Sequence, residues 1–523
     1  MPSVSETVRS TAPSVTGTAI PAVSPGRRGQ TALDSSLPTS VTGPLVAHVR
    51  RLRVHRFSMV AVTWTPQSGQ PDVSVRVRTR YDGSWSGWAE LAVDGDGPAP
   101  AEDSEVRSGT APLWVKHATG VEVAVYADRS SLGKLEVDTI DPGSQPSAGS
   151  RLGSSLPDRT ARSGGSRAGT FPEMPRIVTR RQWGADESLG DTCWSPRYGS
   201  TFKAVVVHHT AGSNDYSRSE GPAVVRGIYA YHTLSRGWCD IGYNFLIDRF
   251  GTVYQGRAGG NRLPVRGAHA GDYNVNTTGV SVMGNFDTTR PTRPTKHALV
   301  NIIAWRLGTA YHGAYGKVFL YDAKFRRISG HRDVMETACP GRYVYAWLPT
   351  LRQRVDNRLG GYESRIERAW RADGGAHGRL GPVRVGERGE NRGRHTAFGG
   401  GRMYASKEGR YTLYHGPVLH RYTVAGETSG MLGYPASNVR RSARDGLSAR
   451  FAGGRVYFSR ATGSRILRSG AVLERYLGTG GAAGRLGFPV TPVYDTTGGS
   501  RAGFQSGYIE YNRATHKTTV TRR

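Results

Sequence analysis

The sequence predicts three consecutive folded regions: an N-terminal β-sandwich, a central α/β domain and a C-terminal β-rich repeat domain. The length of 523 residues is several times that of an ordinary domain. Glycine (70) and proline (28) are abundant and hydrophobic residues make up 37%, which indicates short strands and many turns rather than long helical bundles. The spacing of apolar residues changes near residues 171 and 361, so we place domain boundaries there.

The sequence of the N-terminal region predicts a β-sandwich between two unstructured segments. Residues 1–40 lack periodicity and the basic segment and apolar core of a signal peptide, so we expect them to be disordered. Residues 41–142 alternate apolar and polar side chains in short runs, as antiparallel strands do. These runs are FSMVAVTWTP, VSVRVRTRY, LWVKHA, VEVAVYAD and KLEVDTID. No His, Cys or carboxylate cluster assigns the sandwich a role, and residues 143–170 are predicted to be a flexible linker.

The central region, residues 171–360, predicts strands that alternate with helices, which is typical of an α/β domain. The strands are predicted from KAVVV, YNFLID and TTGVSVMGNF. The helices are predicted from the helical spacing of apolar residues in PAVVRGIYAYHTLSR and KHALVNIIAWRLGTAY. This region also contains all three cysteines of the chain.

The C-terminal region, residues 361–523, repeats a short motif. GRLGPV begins at Gly378, GMLGYP at Gly430 and GRLGFP at Gly484, and aromatic-glycine stretches lie between them. A period of this length indicates stacked copies of one small unit. The copies resemble LGFP repeats, which occur in actinobacterial wall enzymes and surface proteins. We expect either a purely structural β-rich array or association with the cell wall.

The net charge of +29, from 70 basic and 41 acidic residues, leaves two interpretations open. It favours binding of a polyanion, such as nucleic acid or an anionic wall polymer, or it reflects an arginine bias spread over a solvated surface. No Lys/Arg run is dense enough for a dedicated patch and no docking motif is present, so we expect no nucleic-acid partner. No stretch approaches the ~18 apolar residues needed to cross a bilayer, so we expect a soluble chain.

Two histidine motifs and a cysteine form a candidate metal site. His208 ends the buried strand of VVVHHTAG, and His331 and Cys339 lie in ISGHRDVMETACPG. Catalytic zinc usually takes three protein ligands and keeps one open position. A Cys–His nucleophilic pair is the alternative, but it leaves His208 unexplained. HRD is not a kinase catalytic loop, because Ala338 stands where that loop needs Asn.

The cysteine count limits the pairings. At most two of the three cysteines can form one bridge. Cys193 and Cys239 lie in loop-like contexts, and a bridge between them would imply an oxidising compartment. Cys339 is then a free thiol beside histidines, which metal ligation explains better than chance.

Five ordered motifs between Arg176 and Arg354 resemble the peptidoglycan recognition proteins and the zinc N-acetylmuramoyl-L-alanine amidases that share their fold. The motifs are VVVHHTAG, GWCDIGYNFLID, GAHAGDYN, TGVSVMGNF and GHRDVMETACPG. The resemblance implies a central mixed β-sheet flanked by helices, with zinc at the floor of a groove. It also places Cys193 and Cys239 where a disulfide near the groove is expected.

The resemblance implies roles for individual residues. His208, His331 and Cys339 match the zinc ligands, and Cys339 argues for a hydrolase because members that only bind usually carry Ser there. Tyr243 matches the catalytic tyrosine, and Thr337 matches a position that holds Lys or Thr in active members. The residues that match substrate contacts are Thr210, His232, Arg236, Gly237, Trp238, Arg257, His269 and Asn274. The Gly-Trp pair and Arg257 accompany diaminopimelate-type stems in the family.

The resemblance predicts zinc-dependent hydrolysis of the amide bond between N-acetylmuramic acid and L-alanine in peptidoglycan. One zinc ion per chain is expected, in a monomer that is secreted or associated with the cell wall. The alternative is a recognition protein that binds peptidoglycan without cutting it.

Overall fold

The computed structural model describes residues 11–23, 37–38, 43–65, 72–95, 97–98, 106–128, 132–144, 171–190 and 195–523. The chain divides into two compact units. The first holds Met1–Gly308 and His312–Gly361, and the second holds Thr309–Tyr311 and Tyr362–Arg523. The β-sandwich and the α/β domain therefore belong to the same unit.

The N-terminal sandwich, as predicted, packs two β-sheets face to face. One sheet has the strand order β1-β11-β3-β8-β7, with β9 also on β3, and the other has the order β2-β10-β4-β5, with β6 on β4. Val62, Val75, Val123 and Val137 fill the space between the sheets, because alternate residues of a strand point to the same face. The strands are β1 Ser14–Ala19, β2 Leu45–Arg51, β3 Phe57–Trp64, β4 Val73–Tyr81, β5 Ser84–Trp85, β6 Ala89–Leu91, β7 Val93–Asp94, β8 Ser108–Thr110, β9 Leu113–Ala118, β10 Gly120–Ala127 and β11 Glu136–Asp141.

Strand β1 corrects the expectation that residues 1–40 are disordered. It pairs antiparallel with β11, from Ser14 opposite Asp141 to Ala19 opposite Glu136. Ile20, which follows it, is buried in the sandwich core. The hydrogen bonds of a sheet edge and the burial of one side chain order a segment whose own composition predicts no strand. Most other residues of that segment, and residues 145–170 of the predicted linker, lie outside the described residues.

The α/β domain is built on a six-stranded mixed sheet with the order β12-β15-β14-β16-β13-β19. Strand β13 is parallel to both of its neighbours, and β14 is antiparallel to β15. The predicted mixed sheet is therefore confirmed. The strands of this domain are β12 Ile177–Val178, β13 Ala204–His209, β14 Phe245–Ile247, β15 Val253–Gln255, β16 Thr277–Val282, β17 Lys317–Leu320, β18 Ala323–Arg326 and β19 Ile328–Gly330, and its helices are α1 Arg180–Trp183, α2 Gly221–Ala230, α3 Arg293–Thr309 and α4 Arg342–Leu359.

Helices cover both faces of this sheet. Leu299 and Ile303 of α3 and Leu348 of α4 pack with Val205 and Val207 on one face. On the other face, Ile228 of α2 packs with Leu246 of β14. Strand β13 is buried along its whole length, which explains why its sequence is continuously apolar rather than alternating.

Local sequence signals set several helix ends. Pro222 stands in the first turn of α2, where its missing N–H costs no hydrogen bond. Helix α2 continues as a π-helical turn, Tyr231–Ser235. Gly360 ends α4 in a left-handed conformation, with φ of 56°.

Residues 362–523, all of which are described, contain three copies of one unit, as the sequence motifs predict. Each copy is a short helix followed by a four-stranded antiparallel sheet whose strands pair in chain order. The helices are α5 Arg365–Ala372, α6 Pro417–Val424 and α7 Ala471–Gly478, and the strands are β20 Val383–Glu390, β21 Gly393–Phe398, β22 Gly401–Ser406, β23 Gly409–Tyr414, β24 Arg440–Arg441, β25 Leu447–Phe451, β26 Gly454–Ser459, β27 Gly463–Arg468, β28 Tyr494–Thr496, β29 Gly499–Phe504, β30 Gly507–Asn512 and β31 Lys517–Arg522.

The repeated Leu-Gly motif has a structural cause in each copy. The Tyr422 hydroxyl of α6 donates to the Gly433 carbonyl at 2.6 Å, and the Tyr476 hydroxyl of α7 donates to the Gly487 carbonyl at 2.7 Å. In the first copy, Trp370 Nε1 makes the corresponding bond to the Gly381 carbonyl at 2.9 Å. All three glycines have φ between 60° and 71°, a region that glycine occupies at little cost.

None of the helices among the described residues combines the length and the apolar character needed to cross a lipid bilayer.

Candidate metal centre

Two parallel strands bring the predicted histidine ligands together. Strands β13 and β19 are neighbours, with Val207 opposite Gly330. His208 is the next residue of β13, and His331 directly follows β19 as the first residue of the turn His331–Asp333, so both histidines lie at the carboxyl edge of the sheet. Sites in α/β proteins lie at this edge, because parallel strands end there together.

The predicted third ligand completes the cluster. The ligand atoms of His208, His331 and Cys339 all lie within 4.8 Å of one another, and all three residues are buried. Cys339 Sγ is 3.7 Å from His208 Nδ1. A nitrogen at ~2.1 Å and a sulfur at ~2.3 Å from one tetrahedral zinc ion lie about 3.6 Å apart. The cluster therefore fits a zinc ion without rearrangement of this pair.

A tight loop holds Cys339 in place. The Arg332 N–H donates to the Cys339 carbonyl at 3.0 Å, and the Cys339 N–H donates to Thr337 Oγ1 at 3.2 Å. The His209 N–H donates to Cys339 Sγ at 3.3 Å. The thiolate is the form of cysteine that binds metals. Thr337, predicted to be catalytic, thus holds the backbone of Cys339.

His269 supports His208 from behind, a role that sequence reasoning missed. Its Nδ1 lies 3.1 Å from His208 Nε2, so His208 faces Cys339 with one nitrogen and His269 with the other. Metal-binding histidines are commonly oriented in this way. A Cβ added at Gly267 or Gly279 would lie 2.4 Å from the His269 ring. The small residues around GAHAG were therefore the available signal for a closely packed histidine.

Tyr243 lies beside the cluster. Its ring centroid is 5.4 Å from that of His208 and 5.7 Å from that of His232. Strand β14 begins two residues later, at Phe245, which fixes the position of the tyrosine. The predicted catalytic tyrosine and the predicted metal ligands are thus adjacent in the fold.

The predicted substrate residues fall into four groups around this cluster. Thr210 follows β13 directly, and its Oγ1 accepts the Gly284 N–H at 2.9 Å. Arg257 donates from Nη1 to the Ile241 carbonyl at 3.3 Å. Asn274 accepts the His269 N–H at 2.8 Å and thereby holds the loop that carries this histidine.

The fourth group follows helix α2. Trp238 packs against His232, with ring centroids 4.3 Å apart, and against the Arg236 guanidinium, which is 4.4 Å from its ring. Gly237 between them has φ of 70°. His232 Nδ1 accepts the Gly242 N–H at 3.1 Å. These residues are packed as one stack rather than displayed singly.

Cys339 is a buried thiol that takes part in no disulfide. Cys193 lies outside the described residues, so its pairing with Cys239 stays a prediction.

Three family models match the chain. Residues 13–150 match the Rv3811 N-terminal galactose-binding domain-like family, residues 198–342 match N-acetylmuramoyl-L-alanine amidase, and residues 432–484 match the LGFP repeat.

Curated relatives and a solved structure match the central region. A peptidoglycan-recognition protein SC1a/b of Drosophila simulans is 34% identical over 174 residues, which cover 32% of this chain and 82% of the relative. Peptidoglycan recognition protein 1 of Bos indicus is 36% identical over 178 residues, which cover 34% of this chain and 84% of the relative. The structure of wild-type Drosophila PGRP-LB matches with a TM-score of 0.28 and 30% identity, covering 34% of this chain and 93% of that chain. From these relatives and the matched families, the chain belongs to the peptidoglycan recognition protein and N-acetylmuramoyl-L-alanine amidase family, and it carries C-terminal LGFP repeats.

Proposed function

We propose that the chain is a zinc-dependent amidase that cleaves the bond between N-acetylmuramic acid and L-alanine in bacterial peptidoglycan. The observation that supports this most is the buried cluster of His208, His331 and Cys339, whose Sγ–Nδ1 distance of 3.7 Å suits a shared zinc ion. These three residues would hold one zinc per chain. Bound zinc lowers the pKa of water to ~7 and polarises a carbonyl oxygen, which supplies a nucleophile and an electrophile at neutral pH.

The residues around the cluster supply position and hydrogen bonds. His269 keeps His208 Nδ1 turned toward Cys339, and Thr337 fixes the backbone of Cys339. We assign to the Tyr243 hydroxyl the stabilisation of the negative charge that develops on the amide oxygen. Such a donor is worth ~3–4 kcal/mol in the transition state.

We further propose that the substrate carries a diaminopimelate-type stem peptide. Arg257 and the Arg236-Gly237-Trp238 segment support this, because a guanidinium can clamp the additional carboxylate with two parallel hydrogen bonds. The remaining proposed contacts are Thr210, His232, His269 and Asn274.

The proposed setting is outside the cell or in the cell wall. We propose that the LGFP repeats associate with the wall, where the net charge of +29 would favour anionic polymers. A Cys193–Cys239 disulfide and a monomeric state are part of the same proposal.

Binding without cleavage is the second candidate, and the names of the recognition-protein relatives favour it. Dye release from labelled cell walls separates the two. We expect release by the zinc-loaded protein, loss of release with a chelator, and no release by Cys339→Ser. Binding without release in the presence of zinc would refute the enzyme and leave the recognition protein.

A further inference from the structure

The outer face of one sandwich sheet lies against helix α2 of the α/β domain. Met59 and Ala61 of β3 and Ile140 of β11 form one apolar cluster with Ile228 and Tyr231. Their neighbours Val60, Val62 and Val137 point the other way, into the sandwich core. The Tyr231 hydroxyl also donates to the Thr110 carbonyl at 2.7 Å. The outer face of this sheet therefore carries an apolar patch that packs against α2 and the turn that follows it.

The sandwich also pairs with Arg236, a proposed substrate residue. Arg236 Nη1 is 2.7 Å from Asp94 Oδ2, and the two side chains are only 3% and 10% exposed. Arg236 Nε donates to the Arg107 carbonyl at 2.7 Å. The Asp94 charge neutralises this guanidinium, and a second carboxylate from a stem peptide would meet repulsion from Asp94.

Gly97 of the sandwich lies close to Asn274, Gly271 and Trp238. The Gly97 carbonyl accepts Asn274 Nδ2 at 3.0 Å and the Gly271 N–H at 3.2 Å. A Cβ added at Gly97 would lie 3.6 Å from the Trp238 ring. The Trp238 ring therefore lies close enough to Gly97 that a side chain there would be in van der Waals contact with it.

The sandwich also contacts the residues that follow Thr210 in sequence. A Cβ added at Gly212 would be 2.8 Å from the Pro112 carbonyl oxygen, and Lys116 Nζ is 2.9 Å from Asp215 Oδ2. The sandwich therefore touches three segments that carry proposed contacts, after β13, after α2 and before β16, whereas Arg257 lies on a fourth segment, after β15.

The proposed substrate residues at these contacts are buried. Arg236, Trp238 and Asn274 are 2%, 1% and 0% exposed. A glycopeptide polymer cannot reach side chains that another domain already covers. The sandwich groups at this interface already form hydrogen bonds with Arg236 and Asn274. They are therefore not available as additional contacts for the substrate.

We propose that the N-terminal sandwich is an inhibitory cap, which sits on the stem-peptide side of the groove and must be displaced before peptidoglycan binds. The inference rests on the proposed function, because it assigns a means of regulation to the same site. Asp94 and the Gly97 carbonyl are the groups that hold the cap on the substrate residues.

A disulfide can lock the cap. An ideal Cβ at Gly227 of α2 lies 3.8 Å from the Met59 Cβ, the mean separation in disulfides of about 3.8 Å. The full chain with Met59→Cys and Gly227→Cys would be compared oxidised and after treatment with a phosphine reductant. Met59→Cys alone is the control for the treatment.

The probe is a soluble N-acetylmuramoyl tripeptide with diaminopimelate as its third residue. We expect the oxidised protein to bind it at least tenfold more weakly, and to hydrolyse it at least tenfold more slowly, than the reduced protein. Equal affinity in the two states would overturn the cap, and this readout does not require hydrolysis.

A second variant opens the cap without new cysteines. Asp94→Ala removes the carboxylate that pairs with Arg236. While the cap is seated, the guanidinium is then buried without this partner, and when the cap is displaced it is hydrated, so the substitution favours the displaced state. We expect affinity and rate to rise at least tenfold. Lys116→Ala is the matched control, because it removes an ion pair across the same interface whose partners are 44% and 84% exposed and which contributes little.

The two proposals fail separately. If the tripeptide binds differently to the locked and reduced forms but no zinc-loaded form hydrolyses it, the amidase is refuted and the cap stands. If all forms hydrolyse it equally, the cap is refuted and the amidase stands. Lower affinity in the folded Asp94→Ala variant would also refute the cap, since it would make the sandwich a part of the binding site.

Discussion

Asp138 lies on the outer face of the sandwich, in the interface with the α/β domain. It is 3% exposed and accepts a hydrogen bond from Thr63 Oγ1 at 2.8 Å. Burial raises the pKa of its carboxyl from 3.8 to about 6, with a further increase from Glu136, while Thr63, Arg107 and Ser235 act in the opposite direction. The folded protein therefore holds this proton more tightly than the unfolded chain does.

The sign of the pH dependence follows from this shift. A raised carboxyl pKa stabilises the folded state fully below the unfolded value of 3.8, and this stabilisation is lost as the pH rises to about 6. A difference of about two pKa units corresponds to ~3 kcal/mol. Asp138→Asn keeps an acceptor for Thr63 and carries no charge, so we expect it to be more stable than the wild type above pH 6, by up to ~3 kcal/mol.

Calorimetric melting temperatures at pH 4, 6 and 8 provide the measurement. We expect the two proteins to differ least at pH 4 and most at pH 8, where the variant should melt several degrees higher. Asp141→Asn, an exposed carboxylate on the same strand, is the control and should show no such pH dependence. If Asp138→Asn melts at the same temperature as the wild type at pH 8, burial of the ionised Asp138 carboxylate does not destabilise the fold as we infer.

Three predictions concern the metal centre. Cys339→Ser should lower the zinc stoichiometry, measured by elemental analysis, from near one per chain to well below it; full retention would show that sulfur is not a ligand. Tyr243→Phe should lower kcat by about a hundred- to a thousand-fold, with zinc content unchanged; an unchanged kcat would remove the hydroxyl from the reaction. His269→Ala should weaken zinc binding by about ten- to a hundred-fold in a chelator competition, and unaltered affinity would contradict its assigned contact with His208.

The elements that the sequence predicted correctly are those that depend on local pattern. Alternating side chains marked the sandwich strands, continuous apolar residues marked β13, and the Leu-Gly motif marked the three C-terminal copies. His208, His331 and Cys339 were found because a metal requires particular residue types, and these types stand out in a chain with three cysteines.

The contacts that carry no motif were missed. Strand β1 has no strong strand pattern, and only its pairing with β11 orders it. His269 was assigned to the substrate, and only the packing shows that it lies against His208. In each case the stabilising contact is made with a residue or strand that is distant in sequence, and such a contact produces no periodic pattern in the local sequence.

The sequence by itself determined which strands and helices form and which residues suit a zinc ion, because these depend on spacing and side-chain chemistry. Only the tertiary structure decided that the sandwich sits on Arg236, Trp238 and Asn274. That arrangement depends on the complementary shape and charge of two surfaces more than a hundred residues apart, such as Asp94 and Arg236, and no local pattern encodes such a fit.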